Sequence, residues 1–170
     1  DDRTLLAVDF GGITNVGGDL FVPSDGLSDT DVLFTWTSAT DVDVTDNDTV
    51  TTQSFTNVTG SLTYQNTNPV YADDVEVDSG GFTVGAAHNV NTGNQYDNLN
   101  VSGGGSIGTL TISSFDGGDG ADVTNVVITG SVEMNAGEGD TNRLGVVGSA
   151  ISGSLIFQGG DDRNGINTED

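Results

Sequence analysis

Val126-Val127-Ile128-Thr129-Gly130-Ser131-Val132-Glu133-Met134 sets apolar and polar residues in alternation on both sides of a Gly-Ser break. That is the pattern of two short strands joined at a bend. Ile151-Ser152-Gly153-Ser154-Leu155-Ile156-Phe157 repeats it, and Val58-Thr59-Gly60-Ser61-Leu62-Thr63-Tyr64 carries it far upstream. Weaker copies begin at Val16, Trp36, Val77 and Val101, so the starts are 16, 36, 58, 77, 101, 128 and 151. Their spacing averages about 22 residues. Strands of three to five residues, Gly or Ser bends and this period predict an all-β chain: a parallel β-solenoid of about seven coils. In such a stack Ile128, Ile151 and Val58 occupy equivalent places, as do Val132, Leu155 and Leu62. The alternative is a β-sandwich or jelly roll of the same strands, completed by a strand from a neighbour.

Composition agrees with an all-β reading and narrows the partners. The 170 residues fit a single domain, and no window of helical periodicity runs beyond a turn or two. Twenty-six acidic residues face three arginines and no lysine, for a net charge of -23. Nucleic acid is excluded as a partner, because binding it depends on basic side chains that neutralise phosphates. No stretch has the roughly 18 apolar residues of a membrane span, so membrane insertion is not expected. Self-repulsion of this size makes the compact state dependent on cations or salt. There is no cysteine, and stability must come from repetition or bound metal rather than disulfides. An extracellular or cell-surface location is expected. Asn47, Asn57 and Asn100 head Asn-X-Ser/Thr triplets and are candidate glycosylation sites.

The repeats resemble the coils of right-handed parallel β-helices in bacterial surface adhesins and secreted polysaccharide-active proteins. That resemblance implies a stacked, elongated module on a cell surface. A solenoid also needs covered ends. The apolar stretch Thr4-Leu5-Leu6-Ala7-Val8-Asp9-Phe10 is therefore read as a strand that links subunits, residues 1–10 docking through Leu5, Leu6, Val8 and Phe10. Residues 159–170 read as a polar acidic tail, and His88–Asn98 as a mobile polar loop.

Calcium is the best-motivated ligand, since a hard cation takes six to eight oxygens and carboxylates are abundant. Asp41, Asp43, Asp46 and Asp48 lie within eight residues, in a run similar to the strand ends of calcium-binding extracellular β domains. Gly117-Gly118-Asp119-Gly120-Ala121-Asp122 is similar to the glycine-aspartate nonapeptide of RTX calcium rolls, which implies Asp122 as a ligand, and Asp119 in the same turn is a further candidate. Thr124 stands where that family has a large apolar residue.

Enzymatic chemistry finds little support. His88 is the only histidine, read as an exposed loop residue, and no nucleophile elbow accompanies it. Asp73-Asp74 and Asp161-Asp162 are similar to the Asp pair of β-helical polygalacturonases, without that family's His-Gly and Arg-x-Lys elements. The chain is thus expected to be a non-enzymatic structural subunit of a filament or surface array, or a module of a larger surface protein. Its partners would be copies of itself. The alternative is a calcium-dependent polysaccharide-binding or adhesion module, with Tyr96 as its exposed ring.

Overall fold

A computed structural model describes residues 8–68, 70–114, 117–138, 141–160 and 163–169. The described residues are all-β. Their strands in chain order are β1 (Thr14–Val16), β2 (Asp19–Pro23), β3 (Thr30–Trp36), β4 (Val42–Asp46), β5 (Thr51–Phe55), β6 (Ser61–Gln65), β7 (Asp73–Asp78), β8 (Ala87–Gly93) and β9 (Asn98–Ser102). There follow β10 (Ser106–Ile107), β11 (Leu110–Ser114), β12 (Gly120–Thr124), β13 (Val127–Ile128), β14 (Val132–Asn135), β15 (Thr141–Val147), β16 (Ala150–Ile151), β17 (Leu155–Gln158) and β18 (Arg163–Glu169).

Three sheets run along the stack. One has the order β1-β2-β6-β8-β11-β14-β17, the second β18-β15-β12-β9-β7-β3-β4-β5, and the third β10-β13-β16. Every pairing from β2 to β17, from β3 through β7 to β18, and within the third sheet is parallel. The chain therefore winds from the first sheet to the second, then to the third, and back, as a β-solenoid.

Alternation decides which side chains fill it, because successive residues of a strand point to opposite faces. In β3, Thr30, Val32, Phe34 and Trp36 are buried while the residues between them are half-exposed. In-register pairing then places each inward residue on its counterpart. Val32, Val75, Leu99, Ala121, Leu144 and Ile166 form one file, and Ile107, Ile128 and Ile151 another. Leu62 and Val132 share a file with Leu155, the equivalence expected from the repeat.

The coil count of about seven is corrected: the stack makes about four turns. The seven sequence bends are three different corners. Val58, Ile128 and Ile151 each precede the corner leading into the first sheet. Val77 and Val101 end strands of the second sheet, whereas Val16 and Trp36 enter antiparallel hairpins, β1-β2 and β3-β4. The β4-β5 hairpin inserts about one repeat length into the first coil, and so mimics an extra coil in the spacing. Two bends do need glycine. Gly103 sits at φ 109°, where a Cβ would lie 2.6 Å from the Ser79 amide nitrogen of the coil below; Gly80, at φ 61°, lies in that lower turn.

The two ends differ. At the N-terminal end the antiparallel β4 lays Val42, Val44 and Asp46 over the core, with the polar, exposed β5 as its edge. Beneath lie Trp36, Phe34 and Tyr64, the last two in edge contact at 6.3 Å. At the C-terminal end β17 and β18 are paired on one side only. Within the expected polar tail, Arg163–Glu169 forms a strand, the last of the second sheet. Its composition hid it, because Ile166 is its single apolar residue. Of the expected linking strand, Val8 is buried in this chain's own core and Phe10 packs against it, whereas Leu5 and Leu6 lie outside the described residues.

Ile128 stands between Ile107 and Ile151 with none of its surface exposed, so Ile128→Ala should cost about 2–5 kcal/mol in chemical unfolding. Val127→Ala, on the outer face beside it, should change stability by no more than about 0.5 kcal/mol.

Candidate functional site

The second sheet carries the polar chemistry on both of its faces. Facing inward, just ahead of each strand's apolar residues, runs the file Thr30, Asp73, Asp97, Asp119, Asn142, Asn164. Its members bond along the stack. The Asp73 backbone N–H donates to Asp97 Oδ1 at 2.8 Å, Asp97 N–H to Asp119 Oδ1 at 3.2 Å, and Asp119 N–H to Asn142 Oδ1 at 3.0 Å. The asparagines use their other side-chain atom to close the corner behind them: Asn142 Nδ2 donates to the Gly137 carbonyl and Asn164 Nδ2 to that of Gly160.

An ionised aspartate in the same position has no proton to give. Asp97 Oδ2, Asp119 Oδ2 and Asp73 Oδ1 are buried with no amide donor, and the hydroxyls of Thr92, Ser114 and Thr30 stand beside the three carboxyls, where they oppose the rise that burial causes. Burial pushes the Asp73 carboxyl up to about 8, helped by the charge of Asp97. It pushes Asp97 up to about 7, and raises Asp119. A proton on the orphaned oxygen turns each carboxyl into a neutral donor and acceptor, the equivalent of the asparagines further along the file. Asn66 completes the set, its Nδ2 donating to Asp73 Oδ2 at 2.8 Å and to the Thr92 carbonyl at 2.7 Å.

The outer face of the same sheet is acidic at its N-terminal end. Asp29, Asp31, Asp48 and Asp74 surround a cleft bounded by Tyr96 and Asn98. Asn47 donates to Asp31 and Asn98 to Asp74, each at 2.8 Å, and the Ala72 N–H donates to Asp29. Desolvation, with the charges of Asp46, Asp31 and Asp29, raises the Asp48 carboxyl. Further along, Asn98, Asn100, Gly120, Asp122 and Arg143 line a shallow groove in which Arg143 pairs with Asp122.

The candidate calcium ligands are dispersed by the pleat. Asp43 faces outward on β4, while Asp46 is buried and accepts from the N–H groups of Val8 and Thr49. Asp41 caps the hairpin turn, accepting from Ser38 and from the Asn57 N–H, and Asp48 borders the outer cleft. Asp119 is inside the stack and Asp122 outside it. Asp73 and Asp74 point to opposite faces too, while Asp161 and Asp162 lie outside the described residues. Among the described residues no group of three or more His, Cys, Asp or Glu is arranged to hold a metal. The three sequon asparagines, Asn47, Asn57 and Asn100, are exposed.

His88 corrects another expectation. It lies in β8, fully buried, in the file position held elsewhere by leucine or valine. Trp36 Nε1 donates to its Nε2 at 3.3 Å, and its Nδ1 lies 3.1 Å from the Ala86 carbonyl, which fixes the neutral Nδ1–H form. Burial lowers its pKa to about 4. Most of His88–Asn98 is likewise strand rather than mobile loop. The polar file was obscured in sequence because its positions lie away from the Gly-Ser bends that mark the repeat. Its signal is Asp/Asn-x-apolar at 73, 97, 119, 142 and 164, intervals of 24, 22, 23 and 22.

Comparison with protein-family models, with curated proteins and with solved structures finds no match.

The raised carboxyls make stability depend on pH. From an ordinary value of 3.8, Asp73 and Asp97 hold protons in the fold that the unfolded chain has released. Each therefore costs stability as pH rises from about 4 toward 7–8, at about 1.4 kcal/mol per pH unit. His88 acts oppositely between 6.5 and about 4, but one group is set against at least two. The melting temperature should be higher at pH 5 than at pH 8. Asp97→Asn should raise it by roughly 3–8 °C at pH 8 and leave it nearly unchanged at pH 4.

Proposed function

We propose that this chain is an extracellular, non-enzymatic structural module. In this reading it is a subunit of a filament or surface array, or one unit of a larger surface protein, that associates with copies of itself. The observation that carries the reading is the in-register parallel stack of coils, a scaffold built by repetition. The same in-register pairing that joins coil to coil is a means by which copies can join. The outer carboxylates repel at low ionic strength, and cations that screen or bridge them, calcium included, would favour association.

Tyr96 favours a second reading, a carbohydrate-binding or adhesion module. The residue is 65% exposed at the rim of the acidic cleft, the setting in which an aromatic side chain stacks on a sugar.

Sedimentation velocity across a range of concentrations, with calcium and then with a chelator, separates the two. Growth in mass with concentration, promoted by calcium or salt, supports the structural module. A monomer throughout that binds a glycan saturably, and loses binding in Tyr96→Ala, replaces it with the second reading.

A further inference from the structure

The corner where the chain passes from the first sheet to the second is polar on both sides. Asn66, Thr92 and Ser114 lie at or just past the ends of first-sheet strands, and they meet Asp73, Asp97 and Asp119 respectively. Two amides bound this stretch of the stack. Asn66 Nδ2 binds Asp73 Oδ2 at one end, and at the other Asn142 accepts the Asp119 N–H and donates to the Gly137 carbonyl. Between them, Asp97 and Asp119 have only hydroxyls across the corner.

Each of these two carboxyls spends Oδ1 on a backbone N–H of the neighbouring coil, Asp73 N–H for Asp97 and Asp97 N–H for Asp119. Oδ2 of each is left, buried and with no amide donor. Ser114 Oγ is buried as well, and it stands beside Asp119 without reaching hydrogen-bond geometry. Thr92, Asp97, Ser114 and Asp119, none more than 5% exposed, line one internal cavity, with Ile112 and Met134 on its apolar wall. Its volume of about 10 Å³ is the room that a single water-sized particle needs.

Two carboxyls buried together call for a counter-charge, and the protein brings none. The described arginines, Arg143 and Arg163, stand at outward positions of the second sheet, Arg143 paired with Asp122. Carboxylate and hydroxyl oxygens are the donors that a hard cation prefers. Four side-chain oxygens fall short of the six to eight that calcium takes, and the cavity has no space for waters to complete its shell. We propose that this corner holds one small monovalent cation such as sodium between Asp97 Oδ2 and Asp119 Oδ2, with the hydroxyls of Thr92 and Ser114 as its other contacts. The site belongs to the single chain and is the same whether or not copies associate.

Thermal unfolding of the full chain at pH 8 and one ionic strength tests it, in sodium chloride and in tetramethylammonium chloride. The two salts screen the outer carboxylates alike, but tetramethylammonium is too large for the cavity. The melting temperature should be higher in sodium by roughly 3–6 °C, the shift for a cation at about ten times its dissociation constant. Asp97→Asn and Asp119→Asn, which set in the file the amide that Asn142 already carries, should melt at the same temperature in both salts. Asp74→Asn, on the outer face, should keep the difference. A melting temperature of the unaltered chain that ignores the choice of cation overturns the site. So does a difference that survives both interior variants, or one that Asp74→Asn abolishes, either of which moves the cation to the outer face.

Discussion

Each coil of this chain is held by backbone hydrogen bonds that run along the stack axis to the coil before it. Because those bonds are parallel and in register, every side chain sits on the residue one turn earlier. The rest of the structure is a consequence of that superposition. Like on like suits apolar residues, and the file Ile107, Ile128, Ile151 is its simplest product. For carboxylates the same superposition is costly: burial raises the carboxyls of Asp73, Asp97 and Asp119, and Asp97 and Asp119 each accept a backbone amide from the neighbouring coil. The progression from Asp73, Asp97 and Asp119 to Asn142 and Asn164 shows both solutions to one geometric demand.

The sheet that carries this file also separates two chemistries by the pleat alone. Asp73 and Asp74 are adjacent in sequence, yet one is sealed in the stack and the other looks onto the outer cleft. The same rule splits Asp119 from Asp122 and Asp43 from Asp46. Clustering along a strand is therefore poor evidence of clustering in space, and carboxylates meet instead across coils, as Asp31 and Asp74 do.

Much of the fold was legible in the sequence, because bends and alternation are local. The equivalence of Val132 with Leu155 follows from spacing alone, and pairing bears it out. The number of coils did not follow, since a hairpin turn such as Gly17-Gly18 and a solenoid corner such as Gly103-Gly104 use the same residues for the same backbone reason. β18 was hidden because Ile166 is its single apolar residue, so the strand shows no alternation. The interior site was obscured by a general expectation that Asp and His belong in solvent. His88 inside the stack, satisfied by Trp36 and a carbonyl, answers to a partner 52 positions away that no local pattern displays.

The hairpin that closes the N-terminal end bears on how the chain acquires its shape. Strands β3, β4 and β5 pair with sequence neighbours through short turns, whereas each later strand must find a partner a full coil away. Closing a short loop loses less chain entropy than closing a long one, and local pairings form soonest. The hairpin segment is thus the one able to pair before a second coil is present. Each following coil then meets a finished edge, adding its turn in the order of synthesis as a crystal face adds layers.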